Sequence, residues 1–377
     1  MDIAPFKVEE WMNEYETGAR YNIAETCVDS LSLDQLFALA GEDKAAFWEA
    51  FCARRMTYGD IEGAPAFKQG VAGLFRTVQP RDIVTTHGAA GANHHVFYSL
   101  VRPGDHVISV APTYQQLYAI PAGFGARVEL LHLRREDGFL PDLERLRQMV
   151  RPDTRLICLN NPNNPTGALM DGAMLREIVD IARSIGAYVL CDEVYRFLTQ
   201  EDGWSESIAD LYEKGISVGS MSKVFSLAGL RQGWIVCRDQ AFIRACLSHR
   251  DYDLVSCSQF DEAISALALA HKDKLLARSR TIVRENLAVL DAWVENEPRV
   301  HYVKPSAGTT ALVYYDADLP SYEFCRRMYH ATGAFVTPGA CFEEEHCVRI
   351  GYAYGRQALR DGLAAFSAFL DQLAAEG

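Results

Sequence analysis

Short apolar runs recur through the middle of this 377-residue chain, and they limit its possible folds more than any other feature. Seven runs are typical of strands buried on both faces: DIVTT (82–86), HVISVAP (106–112), RVELLHL (127–133), RLICLNNP (155–162), AYVLCDEVY (187–195), GISVGS (215–220) and GWIVC (233–237). Helical patterns separate several of them, as between Met170 and Gly186, where Gly186 is placed as a C-terminal cap. This alternation predicts an α/β fold with a mostly parallel sheet, which binds ligands beyond the carboxyl ends of its strands.

The pattern changes toward the carboxyl terminus. From about residue 258 the chain becomes helical over longer stretches, then gives short strands and a last amphipathic helix whose stripe includes Leu359, Leu363 and Leu370. We therefore expect a large domain over 46–265 and a smaller α+β domain over 266–377. Residues 1–45 contain no strand of the central kind, so we expect this N-terminal segment to pack with the small domain.

Composition argues against several classes of partner. The formal net charge of −13 disfavours a surface that neutralises phosphates, so we expect no nucleic-acid partner. Ten cysteines without Cys-x-x-Cys spacing are typical of a reducing compartment. No run of eighteen apolar residues and no signal-like start occur, so we predict a cytoplasmic protein with no membrane partner. His94 and His95 face different directions on a helix, so we predict no metal site.

Polar or small residues follow three of the predicted strands. THGAAGANHH (86–95) opens a helix, where the amides of Gly88, Ala89 and Ala90 can approach an anion, although any tight turn also needs small residues. Asn164, in NNPNNPTG (160–167), either builds a turn or offers a donor and an acceptor to a ligand. Asp192 ends a buried run, so it either caps a helix or pairs with a protonated group.

Lys223 lies at the end of an apolar segment within GSMSKVFSLAGLRQGW (219–234). Burial favours the neutral amine of a lysine, which is the form that attacks a carbonyl carbon. An aldehyde cofactor would supply that carbon, and Asp192 would pair with its ring nitrogen; pyridoxal phosphate has these groups. The phosphate would then be held by Ser220, Ser222, Arg231 and the amides at 88–90, and the phenolic oxygen by Asn164 and Tyr195.

Four motifs together resemble those of one family. SMSKVFSLAGLRQGW is similar to the Ser-x-Ser-Lys and Gly-x-Arg-x-Gly signature of class I and II aminotransferases of fold type I, the aspartate aminotransferase superfamily. NNPNNPTG, CDEVY and CVRIGYAY match other signatures in the family's order, and the resemblance covers nearly the whole chain. It implies a large domain with a mostly parallel seven-stranded sheet, a smaller α+β C-terminal domain, pyridoxal 5′-phosphate as cofactor, and an L-amino acid and a 2-oxo acid as substrates.

The resemblance also implies roles for single residues. Lys223 would form the internal aldimine with the cofactor and later move the proton at the substrate's α-carbon. Tyr114 would stack on the pyridine ring, unless it is a core aromatic, and Arg349 would bind the substrate α-carboxylate, unless it lies on a surface strand. Tyr58 resembles the tyrosine that reaches the phosphate of the neighbouring subunit, which implies a homodimer with shared active sites.

The N-terminal segment differs from the family's pattern. YNIAETCVDSLSL (21–33) stands where most relatives carry a Gly-Glu-Pro type segment, and with RDYDLVSCS (250–258) it resembles a branch that includes capreomycidine synthase and arginine-oxidising enzymes. Glu25 would then suit a substrate guanidinium, or it caps or supports a helix at 32–40.

The leading prediction from the whole sequence is an aminotransferase. The alternative keeps the cofactor and predicts elimination with cyclisation, or oxidation, of a basic, arginine-like amino acid. A DNA-binding regulator built on this fold would need a basic helix-turn-helix, and a nicotinamide dehydrogenase would need its glycine fingerprint; the sequence has neither.

Overall fold

Seven strands build a central sheet in this protein, whose computed structural model describes residues 2–376. The thirteen strands of residues 2–376 are, in chain order, β1 (Tyr21–Asn22), β2 (Ile83–His87), β3 (His106–Ala111), β4 (Arg127–His132), β5 (Thr154–Asn160), β6 (Tyr188–Asp192), β7 (Gly215–Ser220), β8 (Gln232–Val236), β9 (Val300–Tyr302), β10 (Thr310–Tyr315), β11 (Ala334–Phe335), β12 (Thr337–Pro338) and β13 (Cys347–Gly351). The central sheet has the order β2-β8-β7-β6-β5-β3-β4, and its pairs are parallel except for those that β8 makes with β2 and β7. Each of the seven lies within its predicted run or one residue beyond it, so the predicted sheet is confirmed.

Helices cover the sheet and form much of the rest of the chain. They are α1 (Lys7–Tyr15), α2 (Leu33–Ala40), α3 (Lys44–Cys52), α4 (Pro65–Ala72), α5 (Gly88–Leu100), α6 (Gln116–Gly123), α7 (Leu143–Met149), α8 (Gly172–Ile185), α9 (Ile208–Leu211), α10 (Gln240–Arg250), α11 (Gln259–Ala270), α12 (Lys272–Asn296), α13 (Ser321–Thr332) and α14 (Arg356–Glu376). Gly186 ends α8 with φ 72°, a conformation that glycine adopts without the steric cost of a Cβ, as the sequence predicts. Within residues 2–376, no helix combines the length and apolar character needed to cross a bilayer.

The sheet is apolar on both faces because successive side chains of a strand point to opposite sides. In β5, Leu156 and Cys158 join the core on the α5 and α10 side, whereas Ile157 and Leu159 join the core beneath α7 and α8. Burial on both faces explains why these strands are continuous apolar runs in the sequence. It also leaves the ends of the strands as the place where polar side chains can converge.

A second sheet lies toward the carboxyl terminus. It has four antiparallel strands in the order β12-β13-β10-β9, with α13 and α14 packed nearby. The N-terminal segment contacts this part of the chain: β1 pairs with β11, and Trp11 Nε1 donates to the carbonyl of Val336 at 2.8 Å. The division into 1–45, 46–265 and 266–377 remains our proposal for the domain limits.

Candidate active site

A cavity of about 290 Å³ opens at the carboxyl ends of the central strands. It is bounded by the ends of β5, β6 and β7, the start of α5, several residues between 8 and 27, and β13. The predicted site residues on its wall are Glu25, Ala89, Ala90, Tyr114, Asn164, Asp192, Tyr195, Ser220, Ser222, Lys223, Arg231 and Arg349. The structure thus brings all the predicted site residues except Tyr58 and Gly88 to the wall of one cavity.

Lys223 follows β7 and points its amine at the N-terminal segment. Its Nζ donates to Thr26 Oγ1 at 2.6 Å and lies 3.5 Å from Cys27 Sγ. Burial lowers the pKa of the Lys223 amine, but the acidic groups of Cys27, Tyr195 and Glu25 outweigh burial and raise this pKa overall. The expectation that burial leaves Lys223 as a neutral amine is therefore wrong, because its neighbours favour the ammonium form.

Glu25 supplies the negative charge beside this ammonium. Burial alone would raise the pKa of Glu25, but Lys223 and the amides of Thr26 and Cys27 lower it overall. Its Oε1 accepts from both amides at 2.8 Å. Helix α2, in contrast, begins with a capping box made by Ser32 and Gln35. The alternative in which Glu25 caps this helix is therefore wrong.

Asp192 is the last residue of β6 and is only 4% exposed. Its Oδ2 accepts from Asn93 Nδ2 at 2.9 Å, and its Oδ1 accepts from the amide of Val194 at 3.2 Å. Burial raises the pKa of Asp192, while Asn93, Val194 and Lys223 oppose that rise. No helix begins directly after β6, so Asp192 does not act as a helix cap and its carboxylate faces the cavity.

The start of α5 and the loop after β7 form a cradle for an anion. Ala89 and Ala90 occupy the first turn of α5, where backbone amides point out of the helix, opposite Ser220, Ser222 and Arg231. Gly88 has φ 68°, and a Cβ there would lie 2.8 Å from Arg231 Nη2. Arg231 itself has φ 49°, a conformation that costs a residue with a side chain about 1 kcal/mol or more. The backbone is thus strained at the point where the arginine meets the helix start.

Arg349 on β13 is 3% exposed and reaches into the cavity, so the surface-strand alternative is wrong. Its Nη1 donates to Asn164 Oδ1 at 3.3 Å, and its Nη2 donates to Thr337 Oγ1 at 3.1 Å and to the carbonyl of Ala24 at 3.2 Å. Burial lowers the pKa of Arg349, and Tyr195 is the first of several acidic groups that oppose this. The bond to Arg349 uses Asn164 Oδ1 as acceptor, and Asn164 Nδ2 is the atom of this amide that can donate to a ligand.

Tyr58 lies outside the cavity. It is 72% exposed and lines a separate surface pocket with Asp60 and Gln259. Its phenol does not touch the predicted cofactor site of its own chain. A role in the site of a second subunit stays a prediction.

Asn93, Thr26 and Cys27 are among the cavity residues that the sequence predictions did not name. Asn93 follows Ala89 by four residues on α5, so helical spacing places the two on one face. That spacing is the signal from which Asn93 could have been found. Thr26 and Cys27 carry no such local signal, because their partner Lys223 is almost two hundred residues away in the chain.

The donor set of the cavity fits pyridoxal phosphate. The serines, Arg231 and the helix start suit a phosphate; the amine of Lys223 suits an aldehyde; the carboxylate of Asp192 suits a pyridine nitrogen. Two buried polar atoms of residues on the cavity wall, Asn93 Oδ1 and Arg349 Nε, have no hydrogen-bond partner among residues 2–376. Such atoms are rare in proteins and are expected beside a ligand.

Comparison with known proteins decides the family, since residues 41–366 match the family model described as aminotransferase class I and II. The chain belongs to this family. A capreomycidine synthase from Streptomyces vinaceus is 31% identical over 363 residues, which cover 96% of this chain and 92% of that protein. A probable aspartate/prephenate aminotransferase from Thermus aquaticus is 28% identical over 338 residues, 86% of each chain. The crystal structure of a PLP-dependent aminotransferase from Streptococcus suis 89-1591 superimposes with a TM-score of 0.96 at 45% identity and covers 99% of both chains.

Family membership confirms the predicted fold type I architecture, the aminotransferase class and the pyridoxal-phosphate cofactor. An amino acid and a 2-oxo acid are accordingly the substrate types of this enzyme. The N-terminal resemblance to the capreomycidine synthase branch is confirmed as well.

Proposed function

We propose that this cavity transfers an amino group from an L-amino acid to a 2-oxo acid, with Lys223 as the lysine that binds the cofactor covalently. One observation carries the proposal: Lys223, Asp192 and Arg349 line a single cavity although they come from three separate parts of the chain. The amine would bind the cofactor aldehyde, the buried carboxylate would pair with the ring nitrogen, and the buried guanidinium would bind the substrate α-carboxylate. Their meeting in one space has no role in core packing.

Pyridoxal phosphate, when bound, draws electrons away from the substrate's α-carbon. Asp192 would hold a proton on the ring nitrogen, because a buried carboxylate stabilises a neighbouring cation strongly. Asn164 and Tyr195 would donate to the phenolic oxygen, and Tyr114 would cover one face of the ring. Lys223 Nζ would take the proton from the substrate's α-carbon and return it.

Arg349 would bind the substrate α-carboxylate. A guanidinium offers two parallel N–H groups to a carboxylate, and Arg349 is oriented for this by Thr337, Ala24 and Asn164. Since Asn164 touches Arg349 and would also touch the cofactor, it would link the position of the substrate to that of the ring. The α-carbon of the substrate would thereby be held near Lys223.

A homodimer is part of the proposal. Tyr58 is exposed and turned away from its own cavity, with Met56 and Ile61 exposed beside it in sequence. Apolar side chains exposed together in a short segment favour contact with another chain. In a homodimer, Tyr58 would reach the phosphate site of the other subunit. A cytoplasmic location also stays a prediction.

Borohydride reduction of the yellow holoenzyme tests the assignment of Lys223. We expect peptide mass spectrometry to find the cofactor label on Lys223, and recovery of the label on another lysine would refute the proposed site. Incubation with a panel of L-amino acids and 2-oxoglutarate tests the reaction. Formation of glutamate together with the matching 2-oxo acid supports transamination.

A second candidate is the elimination with cyclisation, or the oxidation, of a basic amino acid, and the charges around the cavity favour it. Glu9 and Glu16 of α1 line the cavity together with Glu25. The cationic side chains of the cavity wall are Lys223, Arg231 and Arg349, and each is assigned to the cofactor or to the substrate α-carboxylate. The charge left for a substrate side chain is therefore negative. One relative is, in addition, named a synthase and not a transaminase.

Arginine and citrulline distinguish the two candidates, because they have nearly the same shape and differ in charge. Turnover of arginine at least tenfold faster than that of citrulline in wild type supports a basic substrate, provided that Glu25→Gln loses this preference. Glu10→Gln is the matched control, since Glu10 lies on the other side of α1 beside Trp11 and outside the cavity. Glutamate as product then indicates transamination, whereas ammonia, peroxide or a cyclic product indicates the second candidate.

A further inference from the structure

Two residues of the N-terminal segment hold the amine of Lys223. Thr26 Oγ1 accepts a hydrogen bond from Lys223 Nζ at 2.6 Å, and Cys27 Sγ lies 3.5 Å from the same nitrogen. Both side chains line the cavity, and Cys27 is buried. Neither residue belongs to the donor set that would hold the cofactor. Their common feature is contact with the atom that moves the proton.

The segment that carries them is fixed from both sides. Thr309 Oγ1 donates to the carbonyl of Thr26 at 2.7 Å, and the amide of Val28 donates to the carbonyl of Lys223 at 3.4 Å. Glu25 closes the segment on itself by accepting from the amides of Thr26 and Cys27. The hydroxyl of Thr26 is therefore held in place by the backbone around it. A fixed acceptor can define where a flexible side chain comes to rest.

We propose that Thr26, with Cys27 beside it, is a positioning residue for Lys223. The Thr26 hydroxyl accepts a hydrogen bond from Lys223 Nζ whenever this nitrogen is not bonded to the cofactor. The proposal rests on the proposed function only for the role of Lys223. Proton transfer requires the base to stay within hydrogen-bond reach of the α-carbon, but a lysine side chain has four rotatable bonds. The Thr26 hydroxyl restricts this freedom.

The surroundings of Thr26 suit both charge states of the nitrogen. A hydroxyl accepts an N–H bond from an amine and from an ammonium. When Nζ takes a proton, the Glu25 carboxylate nearby stabilises the positive charge, in line with the raised pKa of Lys223. Thr26 thus fixes the position of Nζ, and Glu25 makes the protonated form stable enough to hold the proton until it is returned.

Reductive methylation of the full chain with formaldehyde and cyanoborohydride tests this contact without any substrate, because only the neutral amine reacts. Removal of the cofactor by dialysis against hydroxylamine exposes Lys223 to the reagent. In Thr26→Val the ammonium loses an acceptor, so its pKa falls and we expect methylation of Lys223 at pH 8 to be about tenfold faster than in wild type. Thr26→Ser keeps the hydroxyl and should match wild type.

Steady-state kinetics of the holoenzyme give a second measure. We expect Thr26→Val to lower kcat about tenfold with KM nearly unchanged and to increase the deuterium isotope effect at the α-carbon. Thr26→Ser should keep the wild-type kcat and the wild-type isotope effect. Thr281→Val, on the exposed face of α12, is the control for the effect of replacing a threonine with valine. Should Thr26→Val not fold, Thr26→Ala replaces it.

Three results would overturn the inference. They are equal methylation rates in Thr26→Val and wild type, equal effects of valine and serine, and a change confined to KM. None of these results affects the borohydride label on Lys223, so failure of the inference and failure of the proposed function remain distinguishable.

Discussion

Asn93 Nδ2 donates to Asp192 Oδ2 at 2.9 Å, and this contact connects α5, whose start forms part of the anion cradle, to the carboxylate at the end of β6. Within residues 2–376, the carboxylate has one further donor, the amide of Val194. Two donors on the two oxygens fix the plane of the group, and the lone pairs that remain can face a ligand. Asn93 therefore orients the carboxylate that would meet the cofactor ring.

Asp192→Asn should separate cofactor binding from chemistry. The amide keeps the shape of the side chain but loses the charge that would hold a proton on the ring nitrogen. We expect kcat to fall about 100-fold or more, while borohydride still fixes the cofactor to Lys223. Asn93→Ala, which leaves the charge and removes one orienting bond, should lower kcat less, by about tenfold. Unchanged turnover in Asp192→Asn would contradict the role of this residue.

Gly88→Ala should weaken cofactor binding. A Cβ at Gly88 would lie 2.8 Å from Arg231 Nη2, and the residue would keep an unfavourable φ of 68°. Displacement of Arg231 removes a charged partner of the phosphate, so we expect the Kd for pyridoxal phosphate, measured by absorbance titration, to rise at least about tenfold. Gly91→Ala is the control, because its nearest contact is His87 Cβ at 3.8 Å and alanine favours the helix by about 1 kcal/mol. A similar Kd in both variants would contradict the prediction.

The sheet and part of the site were predictable from sequence for one physical reason. Strands buried on both faces are visible as apolar runs, so Asp192 and Lys223 could be placed at strand ends and brought together by the parallel topology. The contacts of Thr26 and Cys27 could not be predicted. They depend on how the N-terminal segment passes between β13 and the loop after β7, and no local pattern encodes that path.

The charge of Lys223 shows the same limit. Its burial is visible in the sequence, and burial alone favours the neutral amine. The raised pKa comes from the acidic groups of Cys27, Tyr195 and Glu25, which only the fold brings near the amine. A pKa depends on all groups within a few ångströms, and most of those around Lys223 are distant along the chain.

Glu262 on α11 should make the protein less stable as the pH rises toward neutrality. It is 1% exposed; its Oε2 accepts from the amide of Ala64 at 3.1 Å, and its Oε1 has no partner within residues 2–376. Burial, with Asp60 adding to it and Arg250 opposing it, raises the pKa of Glu262 from 4.5 to about 7. Between these pH values the folded chain keeps a proton that the unfolded chain loses, so the free energy of unfolding falls as pH rises.

Glu262→Gln should remove this dependence, because the amide stays neutral at every pH. We expect the free energy of unfolding of wild type to lose on the order of 3 kcal/mol more than that of the variant between pH 4.5 and pH 7.5, measured by urea unfolding of the holoenzyme. Glu295→Gln, an exposed glutamate on α12, is the control. Parallel curves for wild type and Glu262→Gln would show that this carboxyl does not titrate in the window.

Gly351→Ala should displace the N-terminal segment from the cavity. Gly351 ends β13, and its amide donates to the carbonyl of Ile23 at 2.8 Å. A Cβ there would lie 1.9 Å from the carbonyl oxygen of Glu25, which is backbone and cannot rotate away. We expect a loss of about 1–3 kcal/mol in the free energy of unfolding, typical of overpacking, and a lower Tm. Gly355→Ala is the control, since nothing lies within 4 Å of the added carbon.

The position of Gly351 also predicts how the activity of this variant changes. Arg349 lies two residues before Gly351 and donates to the carbonyl of Ala24, so a shift of the segment disturbs the guanidinium that would bind the α-carboxylate. The same shift moves Thr26 away from Lys223. Gly351→Ala should therefore raise KM through Arg349 and lower kcat through Lys223, whereas Thr26→Val changes kcat alone. Wild-type KM and kcat in a folded Gly351→Ala protein would mean that the segment does not need its close contact with β13 to position either residue.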